Sequence, residues 1–130
     1  MANGGIQPVS SGTKTDATLD QALTSFKTLS TRGYESLFFT VTASVQAFDQ
    51  FQIDMKPYHS DAAYVTLAGP TTATDFTSPV QPLVHCSGNL AALSGASGWG
   101  LIDVRGIDEI DFKVAFAADN GTYVFSWGLQ

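Results

Sequence analysis

Residues 109–129 read EIDFKVAFAADNGTYVFSWGL, and this stretch decides the predicted fold. Apolar residues alternate with other residues on both sides of Asn120-Gly121, a dipeptide that tolerates the positive φ angles of a type I′ turn. We therefore predict a β-hairpin with this dipeptide at its tip. Its register places six apolar residues on one face in three cross-strand pairs: Phe116–Phe125, Val114–Trp127 and Phe112–Leu129. This face is predicted to contact the core.

The same two-residue period occurs upstream. In LFFTVTASV (37–45) and FQIDM (51–55), every second residue is apolar. This pattern predicts strands with one face on a core and the other in a wetter setting. One strand of the combined length would be unusual, so we break the run at residues 47–50 and predict a second hairpin. Shorter strands are predicted at AYVTLA (63–68), LVHC (83–86) and LIDVRG (101–106).

The other segments are less regular. In DATLDQALTSFKTL (16–29), apolar residues recur at i, i+3, i+4 and i+7, which favours a short helix or turn before a strand that begins near Ser25. TSFKTLST could equally open that strand. Three prolines in the Thr/Pro-rich loop at 69–82 exclude a central strand there. GNLAALSGASGWG (88–100) is predicted to be a Gly-rich excursion with room for one helical turn.

Short strands, long polar loops and little helix together predict the fold class. We predict an all-β protein, an antiparallel β-sandwich of jelly-roll-like type. The Gly-, Ser- and Asn-rich residues 1–15 are predicted to form an extended N-terminal arm, and residues 16–130 a single sandwich domain. A chain of 130 residues can bury a core without disulfides, and its one cysteine cannot form an internal one.

Charge narrows the set of partners. The chain has 6 basic and 12 acidic residues, a net charge of −6, and only 14% charged residues in total. Such a surface is a poor match for phosphate backbones, so no nucleic-acid partner is predicted. No apolar stretch approaches 18 residues, so no membrane span is predicted either.

Two short stretches contain residue types used in catalysis, but neither has the geometry that a nucleophile and its base require. In LVHCSGNL, His85 and Cys86 are neighbours on a predicted strand, so their side chains point to opposite faces. In PYHSDAA, His59, Ser60 and Asp61 are consecutive, whereas a triad is defined by geometry. No G-x-S-x-G motif is present to expose a serine. We predict that the protein is not an enzyme, and a hydrolase is only a third hypothesis.

No metal or cofactor site is predicted. His59, His85 and Cys86 match no zinc spacing. Four acids cluster around a predicted turn and could in principle hold calcium, although alternating acids on strands more often form a solvated face; they are Asp103, Asp108, Glu109 and Asp111. Neither a P-loop nor a dinucleotide fingerprint occurs.

Aromatic residues leave two interpretations open. Trp99, Tyr58, Tyr64 and Phe76 could line a sugar-binding surface, or each could fill core or pack under a loop. With 12% aromatic residues in so small a sandwich, the second interpretation is favoured.

The layout resembles small β-sandwich accessory proteins of tailed-bacteriophage virions, such as capsid decoration (cement) proteins. The resemblance lies in the MANGGIQPVSSGT arm, the SLFFTVTAS and FQIDM strands, the Thr/Pro loop and the ending LIDVRGIDEIDFKVAFAADNGTYVFSWG. The resemblance covers most of the chain from about residue 30. It is a likeness of general layout that tail and connector proteins share, and it includes no diagnostic residue.

The resemblance implies a function in assembly. Decoration proteins often form trimers, sit on a capsid shell through loops and terminal arms, and stabilise it. We therefore expect a virion location, with the chain itself, as a trimer, and a major capsid or other virion protein as partners. The predicted assembly contacts are Ile6, Pro8, Val9, Phe76 and Trp99. The alternative function is a carbohydrate- or receptor-binding module, with Trp99 or Tyr58 stacking on a sugar.

Overall fold

The computed structural model describes residues 10–19, 22–44, 48–58, 64–71, 83–86, 97–116 and 121–130. These ranges contain nine strands and no helix. The strands are β1 Ser10–Leu19, β2 Thr24–Ser30, β3 Ser36–Ser44, β4 Phe48–Pro57, β5 Val65–Thr71, β6 Leu83–Cys86, β7 Ser97–Asp103, β8 Ile107–Phe116 and β9 Gly121–Leu129.

The strands form two antiparallel sheets that enclose one core. The first sheet has the order β1-β9-β3-β7-β6, and the second has the order β2-β8-β4-β5. Residues that point inward from both sheets are buried in a single hydrophobic cluster. The predicted antiparallel β-sandwich is therefore confirmed.

The pairing between strands is that of a jelly roll. β4 pairs with β5, β3 with β7, β2 with β8 and β1 with β9, all antiparallel. These pairs are successive segments of one long double-stranded ribbon, closed at the β4–β5 end. Because the ribbon is rolled up, its segments alternate between the two sheets, and β6 adds to the edge of the first sheet. This winding is the jelly-roll arrangement that the sequence predicted.

The predicted hairpin at residues 109–129 is wrong. β8 lies in the second sheet between β2 and β4, whereas β9 lies in the first sheet between β1 and β3. Phe116 is therefore paired with Phe48 and not with Phe125. The predicted inward face is nevertheless correct, because Phe112 and Phe125 meet across the core with ring centroids 4.8 Å apart. Alternation identifies the buried face of a strand but not its neighbours.

Gly121 has a different role from the predicted one. Among the described glycines, positive φ angles occur at Gly33 and Gly106. A Cβ atom at Gly121 would lie 2.2 Å from Cδ1 of Phe116, far inside any normal contact. The glycine is thus required because β9 begins directly against the Phe116 ring. Residues 117–120, including Asn120, lie outside the described residues.

The second predicted hairpin is wrong for the same reason. β3 belongs to the first sheet and β4 to the second, so residues 37–44 and 51–55 face each other across the core. They do not pair side by side. In a jelly roll most consecutive strands belong to different sheets. The alternation of residues within one strand does not show to which sheet the strand belongs.

The first part of the chain, before β3, also departs from prediction. No helix forms at residues 16–19, because they continue strand β1, which pairs with β9. The strand predicted near Ser25 is confirmed as β2. Pairing with a neighbouring strand has outweighed a short helical pattern. β1 also takes in residues 10–15 of the predicted arm, and residues 1–9 lie outside the described part of the chain.

The Thr/Pro-rich loop begins later than predicted. β5 continues to Thr71 and includes Pro70. β5 is the edge strand of the second sheet, and a proline is tolerated there because the outer side of an edge strand needs no ladder hydrogen bond. The Gly-rich excursion likewise ends at β7, whose first residue is Ser97. The helical turn predicted within that excursion lies outside the described residues.

Aromatic rings fill the space between the sheets. Phe39 of the first sheet meets Phe112 of the second with centroids 4.9 Å apart. Phe26 of the second sheet meets Tyr123 at 4.7 Å and Phe125 at 5.1 Å. Aromatic pairs with such edge and tilted geometry add about 0.5–1.5 kcal/mol each beyond their burial.

Gly100 makes room for one of these rings. It is paired with Phe39 across β7 and β3, and a Cβ atom at position 100 would lie 2.5 Å from both Cε1 and Cζ of that ring. Phe39 is fully buried, so its ring has nowhere to move.

We expect Gly100→Ala to lower the free energy of unfolding by about 1–3 kcal/mol, since the added methyl group overpacks the core. Chemical denaturation measures this loss. Phe39→Leu is the matched partner variant, because it removes the ring atoms that the methyl group would meet. In a double-mutant cycle, Gly100→Ala should cost less in the Phe39→Leu background than alone. Equal costs in both backgrounds would contradict the close contact.

Candidate binding face

The outer side of the first sheet is formed by alternate residues of its three central strands. We call the part of this surface from Ser44 to Leu101 the neutral face; it ends before the outward pair of Ser36 and Asp103. Its described members are Phe38, Thr40, Thr42 and Ser44 of β3, Thr122, Val124, Ser126 and Gly128 of β9, and Trp99 and Leu101 of β7. The residues between them point inward and are buried, as for Phe39, Val41 and Phe125.

No charged residue occurs among these members. Charge begins at the end of β7, where Asp103 accepts hydrogen bonds from Arg105.

Three large apolar side chains on the neutral face are open to solvent. Phe38 is 44% exposed, Trp99 38% and Val124 43%. The rings of Phe38 and Trp99 stack on each other, with centroids 6.1 Å apart and an angle of 26° between the ring planes. Isolated exposed apolar residues are ordinary, but neighbours on a charge-free surface indicate a contact site.

The neutral face has a high side and a low side. Phe38, Trp99 and Leu101 form a ridge along β3 and β7. Beside Phe38 and Thr40, strand β9 carries only Gly128 and Ser126, so the surface is lower there. At the other end of the face, the Ser44 and Thr122 hydroxyls are hydrogen-bonded to each other. The polar groups of that pair can be covered at low cost, because they are already partnered.

The outer side of the second sheet is different, because it carries charges in an ordered network. Asp111 accepts hydrogen bonds from Ser25 and Thr28 of β2. On the same strand as Asp111, Lys113 forms an ion pair with Asp54 of β4, with 2.9 Å between Nζ and Oδ2. The protein therefore separates a charged face from a neutral one.

Asp54 is held ionised within this network. Burial raises its pKa, but the hydrogen bonds from Lys113 and Gln52, together with the positive charge of Lys113, outweigh burial. The pKa of Asp54 therefore lies below its ordinary value. Because the folded state favours the ionised form, this carboxylate stabilises the fold above the unfolded pKa of about 3.9.

We expect Asp54→Asn to lower the free energy of unfolding by about 1–3 kcal/mol at neutral pH, since it removes a charge-assisted bond at a buried site. The difference from the parent should stay constant above about pH 5 and shrink as pH falls below about 4, where the parent carboxylate takes up a proton. Urea denaturation over this pH range measures it. Asp49→Asn, at an exposed position of the same strand, is the control. An equal loss in both variants would contradict the role of the pair.

The four acids considered as a calcium cluster have separate protein partners. Asp103 is bound by Arg105 and Asp108 by Arg32, with 2.6 Å and 2.7 Å between the closest atoms. Glu109 accepts a hydrogen bond from Tyr64, and Asp111 belongs to the network described above. In the part of the chain that the structure describes, no three His, Cys, Asp or Glu side chains are grouped to hold a metal ion.

One open cleft lies at the rim of the neutral face. It has a volume of about 230 Å³ and is lined by Glu35, Ser36, Leu101, Ile102, Asp103 and Arg105. Hydrogen bonds from the side chain and backbone of Arg105 lower the pKa of Asp103 to about 2. Sites for drug-sized ligands are usually about 300–1,000 Å³ and more enclosed. The cleft is therefore a weaker candidate than the face beside it.

Of the five predicted contact residues, Trp99 is placed by the structure on the neutral face. Ile6, Pro8, Val9 and Phe76 lie outside the described residues. The exposed partners Phe38 and Val124 were missed by the sequence prediction. Their signal was present, since the outward positions of β3 and β9 contain no charged residue.

The aromatic residues proposed to bind sugar do not share one surface. Trp99 belongs to the neutral face, whereas Tyr64 donates a hydrogen bond to Glu109 on the second sheet. The Tyr58 hydroxyl accepts a hydrogen bond from the backbone N–H of Gly33, and Arg32 lies over the Tyr58 ring. Trp99 and Phe38 are therefore the aromatic pair that could meet a ligand on this face.

Comparison with known proteins yields one structural likeness to report. The chain matches no family model, and no curated protein matches it. Among solved structures, it is similar to the SPBc2 prophage-derived protein YomS. The TM-score is 0.49 at 13% identity, and the alignment covers 98% of this chain and 100% of the other. No helix among the described residues is long and apolar enough to span a membrane.

Proposed function

We propose that this protein is a structural protein of a phage virion with no catalytic activity, and that it decorates the capsid. In this function it binds another protein surface through the neutral face. The observation that carries the proposal is the absence of charge from the neutral face, with Phe38, Trp99 and Val124 exposed on it.

The neutral face has the properties of a protein contact. Covering a charged surface requires each ion to lose water, whereas hydroxyl and apolar groups lose it at much lower cost. Protein interfaces are also depleted in charge at their centre and enriched in aromatic residues. Phe38 and Trp99 supply two such aromatic anchors at the middle of the sheet.

The charged residues support a structural function as well. Asp54 and Asp111 are buried and bonded within the second sheet, where they connect neighbouring strands. Asp108 of β8 is paired with Arg32, which follows β2. These side chains are engaged in holding the fold together, which agrees with a protein that works through its surfaces.

The virion context comes from the layout of the chain. Its arm, alternating strands and final strands resemble those of decoration proteins, and jelly rolls occur both in viral capsid proteins and in lectins. The fold by itself therefore admits a structural protein or a glycan-binding one. The properties of the neutral face favour the structural protein.

The test uses virus particles from the genome that encodes this chain. We expect quantitative mass spectrometry of purified particles to find many copies of it. Particles made without it should release DNA at a lower temperature, since decoration stabilises a shell against internal pressure. Added parent protein should restore the release temperature, and Trp99→Lys should restore it less well. Val65→Lys is the matched control, because Val65 is exposed on the second sheet.

Absence of the chain from the particles would contradict the virion function. If the chain were present but particles made without it were equally stable, it would be a virion protein of another kind, such as a tail component.

Glycan binding is the second candidate, because an exposed tryptophan is present. If a sugar stacks on Trp99, its fluorescence emission should shift during titration with a glycan panel. Trp127 is a second emitter, so Trp127→Phe is needed to isolate the signal. We expect no shift, and a saturable one would favour the glycan-binding alternative.

A further inference from the structure

We infer that the neutral face binds the neutral face of a second copy of this chain. The inference deepens the proposed function by naming the partner of that face, and it rests on that function only for the assignment of the face to protein contact. Three features point to a second copy: charge, size and shape.

Electrostatics favours association of two copies through their neutral faces over association through any other surface. Each chain carries a net charge of −6, so two copies repel each other at long range. The outer side of the second sheet would bring charged groups, including Glu109, Lys56 and Lys113, towards a partner. The neutral face brings no ion to the contact and keeps the charged surfaces apart. A neutral surface is also compatible with itself, whereas an acidic surface is not.

The size of the face suits a dimer. The three central strands that carry the face are spaced about 4.8 Å apart and have seven to nine residues each at 3.4 Å per residue, so they cover about 400 Å² of flat area. Side-chain relief increases the accessible area, towards the roughly 800 Å² that each partner buries in a standard interface. The uncharged part extends over β9, β3 and β7, so it is larger than one or two sugar rings require.

The shape of the face is self-complementary. Phe38, Trp99 and Leu101 form the ridge on the β3 and β7 side, and Ser126 and Gly128 form the low side on β9. A two-fold axis that runs parallel to the strands between two facing sheets exchanges these sides. The ridge of each copy then lies over the low side of the other, which is the reciprocal contact that a two-fold dimer needs.

The polar groups of the neutral face favour protein over sugar. Sugar hydroxyls are held in fixed directions most effectively by the planar, paired donors and acceptors of Asn, Gln, Asp, Glu and Arg. The described members of the neutral face include none of these residue types, and their side-chain polar groups are rotatable Ser and Thr hydroxyls and the Trp99 indole N–H.

The test is sedimentation equilibrium of the purified chain over a range of concentrations. We expect the parent to approach twice the 13.8 kDa chain mass. Trp99→Lys and Thr40→Lys should each weaken the dimer about tenfold or more, because each buries an unpaired charge at the contact. Both variants also make the net charge less negative, so long-range electrostatics alone would strengthen association.

Val65→Lys is the matched control, since it adds the same charge at an exposed position of the second sheet and should dimerise like the parent. Thermal unfolding by circular dichroism checks that each variant folds, and Thr40→Lys, at a partly exposed position, provides a second test if Trp99→Lys does not fold.

A parent that is monomeric at every concentration would overturn the inference, and so would a dimer or trimer whose mass both face variants leave unchanged. The particle experiment is independent of this one. If the chain were found in virions but were monomeric here, the inference would fail and the proposed function would stand.

Discussion

The fold depends on phenylalanine rings packed between two sheets. Phe39 and Phe125 from the first sheet meet Phe112 from the second, and Phe26 closes the same cluster from its edge strand. Except for Phe112 and Phe125, which lie on consecutive strands, these pairs join residues that are far apart in sequence. The two sheets can therefore form this core only if the ribbon of paired strands is fully rolled up.

This core explains why interactions with other molecules must use the outer faces of the two sheets, which differ in charge. Both sheets use their inward residues for the aromatic cluster, so interactions with other molecules must use the outward ones. On the second sheet those residues form a bonded network that includes Asp54, Asp111 and Lys113. On the neutral face of the first sheet they are uncharged hydroxyl, aliphatic and aromatic groups, and Trp99 and Phe38 project from them. The neutral face is thus the surface that the fold leaves available for protein contact.

The sequence predicted the fold class, most strands and the inward faces of β3, β4, β8 and β9. These properties are local, because alternation within one strand reveals which side is buried. The sequence did not predict which strands pair. Both predicted hairpins are crossings between the two sheets, and Gly121 allows β9 to approach the Phe116 ring closely. For the site, Trp99 was predicted as an assembly contact, but its stacking on Phe38 and the joint neutrality of three strands depend on a strand order that alternation does not encode.

The central claim is that copies of this protein associate through a surface without charge. Its most direct test is the dissociation constant of the dimer at low and high salt. Because salt screens the repulsion between two chains of charge −6 and breaks no ion pair at a neutral contact, the dimer should be tighter at high salt. A dimer that weakens as salt is added would show that ion pairs hold it together, and would contradict association through the neutral face.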